Sequence, residues 1–217
     1  MGKMMNKPTF NEELMLWNSG FRTVIGVDEV GRGAFAGPIV AAGVIFKPNF
    51  KNKFLHEVND SKLLTPKKRE KLSKIIKENS IWEIQAIDVD YINKNGIGKA
   101  NSAVFRKVLK GLILKIEQNP NYFILIDGFH KKYLPGGIKK QKAIIKGDQK
   151  SLSIASASII AKVYRDNLMK KMDANYPNYL FSVNKGYGTK KHQEALSKFG
   201  LSKIHRTSFN LYKFATI

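Results

Sequence analysis

The segment from Val24 to Phe46 constrains the fold more than any other stretch of this chain. It reads VIGVDEVGRGAFAGPIVAAGVIF, so two apolar runs flank a pair of carboxylates and a glycine-rich turn. Short apolar runs of this kind are typical of strands buried on both faces. Because burying an unpaired charge is costly, we expect Asp28 and Glu29 to lie at the end of a strand with a compensating cation nearby.

The remaining apolar runs predict an α/β fold. Helical periodicity alternates with the runs, and the first two runs are joined by about ten residues, which favours a mixed β-sheet flanked by helices with a meander at one end and helical crossovers at the other. We see no linker. The predicted strands cover residues 23–28, 39–46, 81–89, 122–127 and 142–146, and the predicted helices cover 65–79, 98–118, 151–173 and a C-terminal helical extension from about 189.

The charge of the chain indicates a polyanionic partner. The 217 residues include 38 Lys and Arg but only 17 Asp and Glu, a formal net charge of +21. Nucleic acid is the natural partner for such an excess. An anionic membrane surface and a lysine-rich composition without a partner are the alternatives.

The absence of cysteine excludes disulfides and thiolate metal sites and suits a reducing compartment. No apolar run approaches the roughly 18 residues needed to span a bilayer. We therefore expect a cytoplasmic protein without a membrane partner. No heptad pattern or large apolar stripe predicts a dimer, so a monomer is expected.

Several aspartates follow apolar runs in a chain that is poor in acids. Asp28 follows TVIGV, Asp127 follows YFILI, and Asp148 comes just after AIIKG. If the first two strands are parallel neighbours, their carboxylates meet at the carboxyl edge of the sheet, where sites in α/β folds are built. Strict alternation sends Glu29 to the opposite face from Asp28, unless the strand ends there. A turn or helix cap is the ordinary role of a single aspartate after a strand.

Such carboxylates are oxygen ligands, and the four histidines are scattered along the chain. The expected cofactor is therefore Mg²⁺ or Mn²⁺. A basic protein with a carboxylate-held divalent ion suggests phosphodiester chemistry. Asp166 lies within a predicted helix, four residues from both Lys162 and Lys170, so a solvated ion pair competes with a ligand role.

Two glycine-containing motifs lie outside the predicted strands. GRGAFAG lacks the spacing of a dinucleotide-binding fingerprint. Two interpretations of it remain: a tight turn whose amides bind a sugar hydroxyl or phosphate, and an ordinary hairpin turn. In NKGYGTKKH, stacking of Tyr187 on a sugar or base competes with a helix cap at Thr189. His205 and Arg206 are candidates for phosphate contact or ordinary surface residues.

Six blocks of the chain, in order, resemble ribonuclease HII. They are GVDEVGRGAFAGPIVAAGV, NDSKLL, ILIDG, KGD with SASIIAKVYRD, GYGTKKH and HRTSF, and they extend from about Val24 to Phe209. The resemblance implies an RNase H-like fold, with a catalytic domain at residues 20–188 and the C-terminal extension at 189–217 packed on it. Ala34 departs from the proline that the family usually has after GRG.

The resemblance also implies an activity and its residues. The activity is Mg²⁺- or Mn²⁺-dependent cleavage of RNA in RNA–DNA hybrids and incision at single ribonucleotides in duplex DNA, by a two-metal-ion mechanism that leaves 5′-phosphate and 3′-hydroxyl ends. The implied catalytic and metal-binding residues are Asp28, Glu29, Asp127 and Asp148, while the role of Asp166 stays open. The implied substrate-binding residues are Gly31, Arg32 and Gly33 at the ribose 2′-hydroxyl, Lys62 at a phosphate and Tyr187 near the RNA–DNA junction.

Two other functions remain as alternatives. One is a different RNase H-like nuclease, such as a junction resolvase or transposase core, which the Asp28-Glu29 pair with GRG disfavours. The other is a non-catalytic nucleic-acid-binding protein, which would not need clustered carboxylates that repel phosphate. The tail SFNLYKF is loosely similar to a sliding-clamp-binding motif, although its aromatic residues are equally suited to packing.

Overall fold

A mixed β-sheet of five strands is central to the computed structural model, which describes residues 7–116 and 121–214. The spatial order of the strands is β3-β2-β1-β4-β5. β1, β2 and β3 form an antiparallel meander, whereas β4 and β5 continue the sheet parallel to β1. The predicted α/β class and mixed topology are thus confirmed. The strands are β1 (Thr23–Val30), β2 (Ile39–Ile45), β3 (Ile81–Ile87), β4 (Tyr122–Asp127) and β5 (Gln141–Ile144).

Helices cover both faces of this sheet. On one face, α3 packs its buried side chains against Ile25, Val27 and Ile39. On the other face, α4 packs against β1 and β2, and α2 lies against α4. The helices are α1 (Asn11–Asn18), α2 (Pro66–Glu78), α3 (Val89–Lys115), α4 (Leu152–Asn175), α5 (Phe181–Asn184) and α6 (Lys190–Phe199).

Glycine at position 26 allows α4 to approach β1 closely. A Cβ at Gly26 would collide with the Ser153 side chain and with the backbone of α4. Since Asp28 follows Gly26 by two residues, this close contact brings the first turns of α4 over the end of β1 that carries the carboxylates.

The structure differs from the predicted elements in several places. β1 continues to Val30 instead of ending at position 28. α3 begins at Val89, because Asp88 caps it by accepting a hydrogen bond from Tyr91 N at 2.8 Å, and it is interrupted at Gly96, where φ is 79°. The predicted end of this helix, residues 117 and 118, lies outside the described residues. β3 ends at Ile87 instead of at position 89, and α1 and α5 are helices that the sequence does not predict.

The C-terminal segment packs on the loop that follows β1. Ala36 forms a β-bridge with His205, and the ring of Phe214 stacks on Phe35 with centroids 5.5 Å apart. Leu211 is buried. The division at residue 189 stays a prediction, and its last residues, 215–217, lie outside the described part of the chain.

Candidate active site

An acidic cleft opens where β1 and β4 diverge. The parallel pairing of these strands ends at Val27 and Ile126, so the next residue on each strand, Asp28 and Asp127, lies at the mouth of the gap. The cleft has a volume of about 420 Å³. Its lining includes Asp28, Glu29, Gly31, Arg32, Gly33, Ser61, Lys62, Asp127, Ser158, Lys162 and Tyr187.

Asp28 and Glu29 both reach this cleft although β1 does not end between them. The strict alternation of the strand is retained, since Asp28 lies beside Ser158 on α4 and Glu29 lies beside Asn101 on α3, and each of these polar side chains opposes the rise in the pKa of its carboxylate. These helices cover opposite faces of the sheet. The expectation that both carboxylates share a site only if the strand ends at Asp28 is therefore wrong. The two share the cleft because β4 no longer pairs with β1 beyond Val27.

Asp127 and Asp148 approach from the neighbouring strands. Asp127 Oδ1 accepts a hydrogen bond from Gly147 N at 2.7 Å, which ties the end of β4 to the turn after β5. Asp148 is buried in that turn, next to a lysine on the loop before α2: Lys62 Nζ lies 3.8 Å from Asp148 Oδ2. The structure thus brings all four predicted carboxylates to one edge of the sheet.

The cleft concentrates negative charge in a poorly solvated place. Burial and the charges of Asp127 and Glu29 hold the pKa of Asp28 well above its usual range. Burial also raises the pKa of Glu29, although Lys131 and Arg32 oppose it. Burial and Asp127 likewise raise the pKa of Asp148. Each raised pKa means that the protein groups alone do not offset the free-energy cost of keeping that carboxylate ionised in the cleft.

These carboxylates fit a hard divalent cation by donor type and by charge. Oxygen donors are the ligands of Mg²⁺ and Mn²⁺, and a cation relieves the mutual repulsion that raises these pKa values. Within residues 7–116 and 121–214, however, no three acidic or histidine side chains converge closely enough to hold one ion as they stand. Asp28 and Asp127 each direct one oxygen to a backbone amide, of Glu29 and Gly147, at 2.7 Å. Binding of one ion by three of these groups therefore requires a change in at least one of the side chains.

The GRG turn forms one wall of the cleft. Gly31 adopts a φ of 87°, and the turn is closed by a hydrogen bond from Ala34 N to Gly31 O at 3.3 Å. Arg32 and Gly33 lie between these two residues and are exposed. A Cβ at Gly31 would collide with the guanidinium of Arg165, so glycine is required here by both conformation and space.

Two buried arginines hold the loop that begins with this turn. Arg165 on α4 donates to the carbonyls of Pro38 and Ala36 at 3.0 and 3.1 Å. Arg206 donates to Gly37 O twice, at 3.0 and 2.9 Å, and to Arg32 O at 2.9 Å. Both side chains are fully buried. The idea that Arg206 contacts phosphate or lies on the surface is wrong, and so is the same idea for His205, which is buried against His192.

Tyr187 lies on the same wall as the GRG turn. Its ring is 5.3 Å from the guanidinium carbon of Arg165 and 5.8 Å from Lys162 Nζ, measured to the ring centroid. Thr189 caps α6 by accepting a hydrogen bond from His192 N, so the cap interpretation of this motif is confirmed. The cap does not displace the ring from the cleft.

Asp166 lies apart from the four carboxylates. It is mostly buried and forms ion pairs with Lys162 Nζ at 2.8 Å and with Arg69 at 3.7 Å. Arg69 also donates to the carbonyls of Ser61 and Leu64. The ion pair expected for this helix is therefore present, but it is buried and connects α4 to the loop before α2.

Sequence reasoning missed several residues around the cleft. Asp60 is buried, accepts a hydrogen bond from Lys62 N at 2.9 Å and receives Gln149 Nε2 at 3.2 Å. Its signal was its place in the NDSKLL block, beside the lysine that the analysis selected. Asn101 and Ser158 carried weaker signals, namely polar side chains among apolar residues of a helix. Lys131 carried none that separates it from the other lysines.

Comparisons with known proteins agree with this site. The family model of ribonuclease HII matches residues 25–212. The ribonuclease HII of Fusobacterium nucleatum is 45% identical over 207 residues, covering 95% of this chain and 94% of the relative. That of Caldicellulosiruptor bescii is 44% identical over 201 residues and covers 92% of both chains.

Solved structures share the fold at lower identity. The ribonuclease H2 from Pyrococcus horikoshii superimposes with a TM-score of 0.70 at 24% identity, over 88% of this chain and 96% of the other. Bst-RNase HIII in complex with Mn²⁺ superimposes with a TM-score of 0.72 at 21% identity, over 93% of this chain and 71% of the other. RNase HII in the PCNA complex from Archaeoglobus fulgidus superimposes with a TM-score of 0.66 at 22% identity, over 86% of this chain and 95% of the other.

The mixed sheet with helices on both faces is thus an RNase H-like fold, and the protein is a ribonuclease H, an endonuclease. The chain belongs to the ribonuclease HII family. This membership decides against a binding protein without catalysis and against a junction resolvase or transposase core. No helix in the described ranges is long and apolar enough to cross a membrane.

Proposed function

We propose that this endonuclease cleaves the RNA strand of RNA–DNA hybrids and incises duplex DNA on the 5′ side of single ribonucleotides. The products carry 5′-phosphate and 3′-hydroxyl ends. The observation that carries this proposal is the lining of the cleft, where Asp28, Glu29 and Asp127 lie beside the Gly31-Arg32-Gly33 turn and Tyr187. One cleft therefore offers carboxylates for phosphodiester hydrolysis and donors for a sugar.

The catalytic side is assigned to the four carboxylates Asp28, Glu29, Asp127 and Asp148. When bound, two divalent cations supply activation of the attacking water and stabilisation of the leaving oxygen. Mn²⁺ is bound by Bst-RNase HIII, whose fold is shared, and either Mg²⁺ or Mn²⁺ suits these oxygen donors. Lys62, whose Nζ is largely exposed beside Asp148, is assigned to a substrate phosphate.

The specificity side is assigned to the GRG turn and Tyr187. The exposed amides and the Arg32 guanidinium are donors for the ribose 2′-hydroxyl, the group that distinguishes RNA from DNA at a given nucleotide. A site built to bind a hydroxyl discriminates strongly against a substrate that lacks it, since its donors are then left unpaired. Tyr187 is assigned to the sugar or base at the RNA–DNA junction.

A sliding-clamp contact through the tail SFNLYKF stays a prediction. The RNase HII from Archaeoglobus fulgidus was solved in complex with PCNA. In this chain Leu211 is buried, Phe209 packs against the core, and Phe214 stacks on Phe35. Of the large hydrophobic side chains between Phe209 and Phe214, Tyr212 is the exposed one, so a clamp that takes this motif has to release packed aromatic residues.

Replacement of Asp127 tests the catalytic assignment. We expect Asp127→Asn to abolish incision of a labelled duplex that contains one ribonucleotide, while its binding affinity is kept or improved because a charge that repels phosphate is removed. Incision by the unmodified protein should require Mg²⁺ or Mn²⁺ and stop with chelator. Asp166→Asn is the matched control, since it removes an aspartate that pairs with Lys162 and Arg69; it should retain incision. Cleavage that survives Asp127→Asn contradicts the site.

Replacement of Arg32 tests the specificity assignment. We expect Arg32→Ala to reduce the preference for a duplex with one embedded ribonucleotide over the matched all-DNA duplex, because a donor for the 2′-hydroxyl is lost. Lys62→Ala is the control, since a lost phosphate contact should slow cleavage of every substrate alike. Rates on matched duplexes provide the comparison. An equal loss on all substrates for Arg32→Ala refutes its role in specificity.

A further inference from the structure

The loop that follows Asp127 exposes two aromatic rings. Residues 128–140 read GFHKKYLPGGIKK and connect β4 to β5. Phe129 is 70% exposed and Tyr133 is 83% exposed, although most large apolar side chains of this fold are buried. Exposed aromatic side chains next to an active site are candidates for contact with a ligand.

The backbone that carries these rings is held in place. The side chain of Gln141 accepts a hydrogen bond from Lys131 N at 3.1 Å and donates to Lys131 O and Gly137 O at 3.0 and 3.2 Å. Gly128 N donates to Ile144 O at 3.0 Å, and Leu134 is buried in the core beside α3. The rings are therefore presented to solvent from a fixed loop, which reduces the entropy lost when they bind.

The surroundings of these rings are positively charged. Residues 128–140 contain four lysines and no acidic residue, and residues 96–115 of α3 contain no acidic residue either. Arg106 and Lys110 on α3 line a shallow groove of about 470 Å³ together with Tyr133. Lys131 lies close enough to Glu29 to act on that carboxylate. The basic surface therefore runs from the edge of the catalytic cleft to α3.

We propose that Phe129 and Tyr133, with Lys131, Lys132 and Arg106, form a second contact surface for duplex nucleic acid, here called the aromatic arm. It binds the duplex that flanks the cut: the cations contact phosphates, and the rings pack on the sugars of the backbone. Charge complementarity favours this occupant, because the arm is basic and the duplex is a polyanion. The proposal rests on the proposed function for the choice of substrate, and it adds a binding surface separate from the GRG turn and Tyr187.

Binding measured without metal tests the arm independently of cleavage. With chelator present, the dissociation constant for a labelled duplex of about three helical turns is compared between the unmodified protein, Phe129→Ala and Tyr133→Ala. We expect each variant to bind about fivefold or more weakly, since each ring loses the apolar surface that it buries against the sugars. Phe129→Trp should retain affinity, whereas Phe129→Leu should lose it. Tyr212→Ala, which removes another exposed ring, is the matched control and should bind normally.

Single-turnover incision at saturating enzyme separates the two proposals. We expect the arm variants to cleave at the unmodified rate once the duplex is bound, with thermal midpoints unchanged because the replaced rings are exposed. Unchanged affinity of both alanine variants refutes the proposal that the aromatic arm binds the duplex. An equal loss of affinity in Tyr212→Ala also refutes it, and so does a lower rate at saturating enzyme without a loss of affinity. Absence of incision by the unmodified protein counts against the proposed function. The differences in duplex affinity measured with chelator still test the aromatic arm in that case.

Discussion

Asn101 is a single polar side chain that connects the core to the cleft. It lies on α3 between Ala100 and Val104, is buried, and lies close enough to Glu29 for its polar side chain to oppose the rise in the pKa of that carboxylate. Its Oδ1 has no hydrogen-bond partner among the described residues. A buried amide with one unpaired atom lowers the stability of the fold. We infer that Asn101 is kept at this position because it orients Glu29.

We expect Asn101→Ala to weaken the affinity of the enzyme for its metal. Loss of the amide frees the Glu29 side chain, and loss of a group that orients a metal ligand typically costs about 10- to 100-fold in metal affinity or activity. The readout is the Mg²⁺ concentration that gives half-maximal incision, which should rise, while duplex affinity in chelator stays the same. Ser102→Ala is the control, because the Ser102 hydroxyl donates to Gly98 O on its own helix. An unchanged Mg²⁺ requirement contradicts the role of Asn101.

The residues that sequence reasoning found and missed differ in a physical way. Asp28 and Asp127 follow apolar runs, so their place at the edge of the sheet depends on local pattern and on strand order. Asn101, Ser158 and Asp60 act through contacts between segments that are far apart in sequence. Local periodicity carries no information on such contacts, and a polar residue on an apolar helix is only an indirect sign of one.

At the scale of elements, the loop from Gly31 to Pro38 depends on side chains from two distant segments. Arg165 belongs to α4 and Arg206 to the C-terminal segment, yet both donate to carbonyls of this loop. Burial and the charge of Arg165 lower the pKa of Arg206 to about 9. The sequence predicts the tight turn from its glycines, but the buried arginines that fix it are indistinguishable, in a basic chain, from exposed ones.

Replacement of Arg206 should therefore affect the fold and the specificity together. Arg206→Met leaves the carbonyls of Gly37 and Arg32 without donors, which we expect to lower the free energy of unfolding by about 2 kcal/mol. The preference for an embedded ribonucleotide should also fall, because the GRG turn loses its support. Denaturant unfolding and rates on matched duplexes measure the two effects. Arg32→Ala should leave stability unchanged, since Arg206 bonds to the main chain of Arg32; a stable, fully selective Arg206→Met refutes the support.

At the scale of the whole molecule, the C-terminal segment completes the wall of the active site. α6 and the tail are connected by a buried pair of histidines, with His192 Nε2 and His205 Nε2 3.0 Å apart. Burial and the neighbouring His192 lower the pKa of His205 to about 4, and burial also lowers the pKa of His192. The sequence placed His205 on the surface or at a phosphate, since a polar pair near the end of a chain gives no sign of the aromatic cluster that encloses it.

Acid should weaken the fold through this histidine pair. A folded-state pKa of about 4 lies below the usual 6.5, so His205 contributes stability that is fully present above pH 6.5 and is lost as the pH falls towards 4. The loss amounts to about 3 kcal/mol. Carboxylates with raised pKa values, such as Asp28 and Glu13, act in the opposite direction, because their protonated forms favour the folded state. The difference in the free energy of unfolding between the unmodified protein and a His205 variant therefore isolates the contribution of the histidine better than the pH dependence of a single protein.

The comparison is between the unmodified protein and His205→Asn, whose side-chain oxygen is expected to replace Nδ1 as acceptor for Ser202 N. Denaturant unfolding at a series of pH values gives the free energy of unfolding of each. We expect the difference between the two to be largest above pH 6.5 and to shrink as the pH falls to 4, since the variant has no buried imidazole to protonate at this position. A difference that stays constant over this range would mean that the pKa of His205 is the same in the folded and the unfolded protein, as it is for a solvated imidazole, and the buried pair would then not explain acid sensitivity.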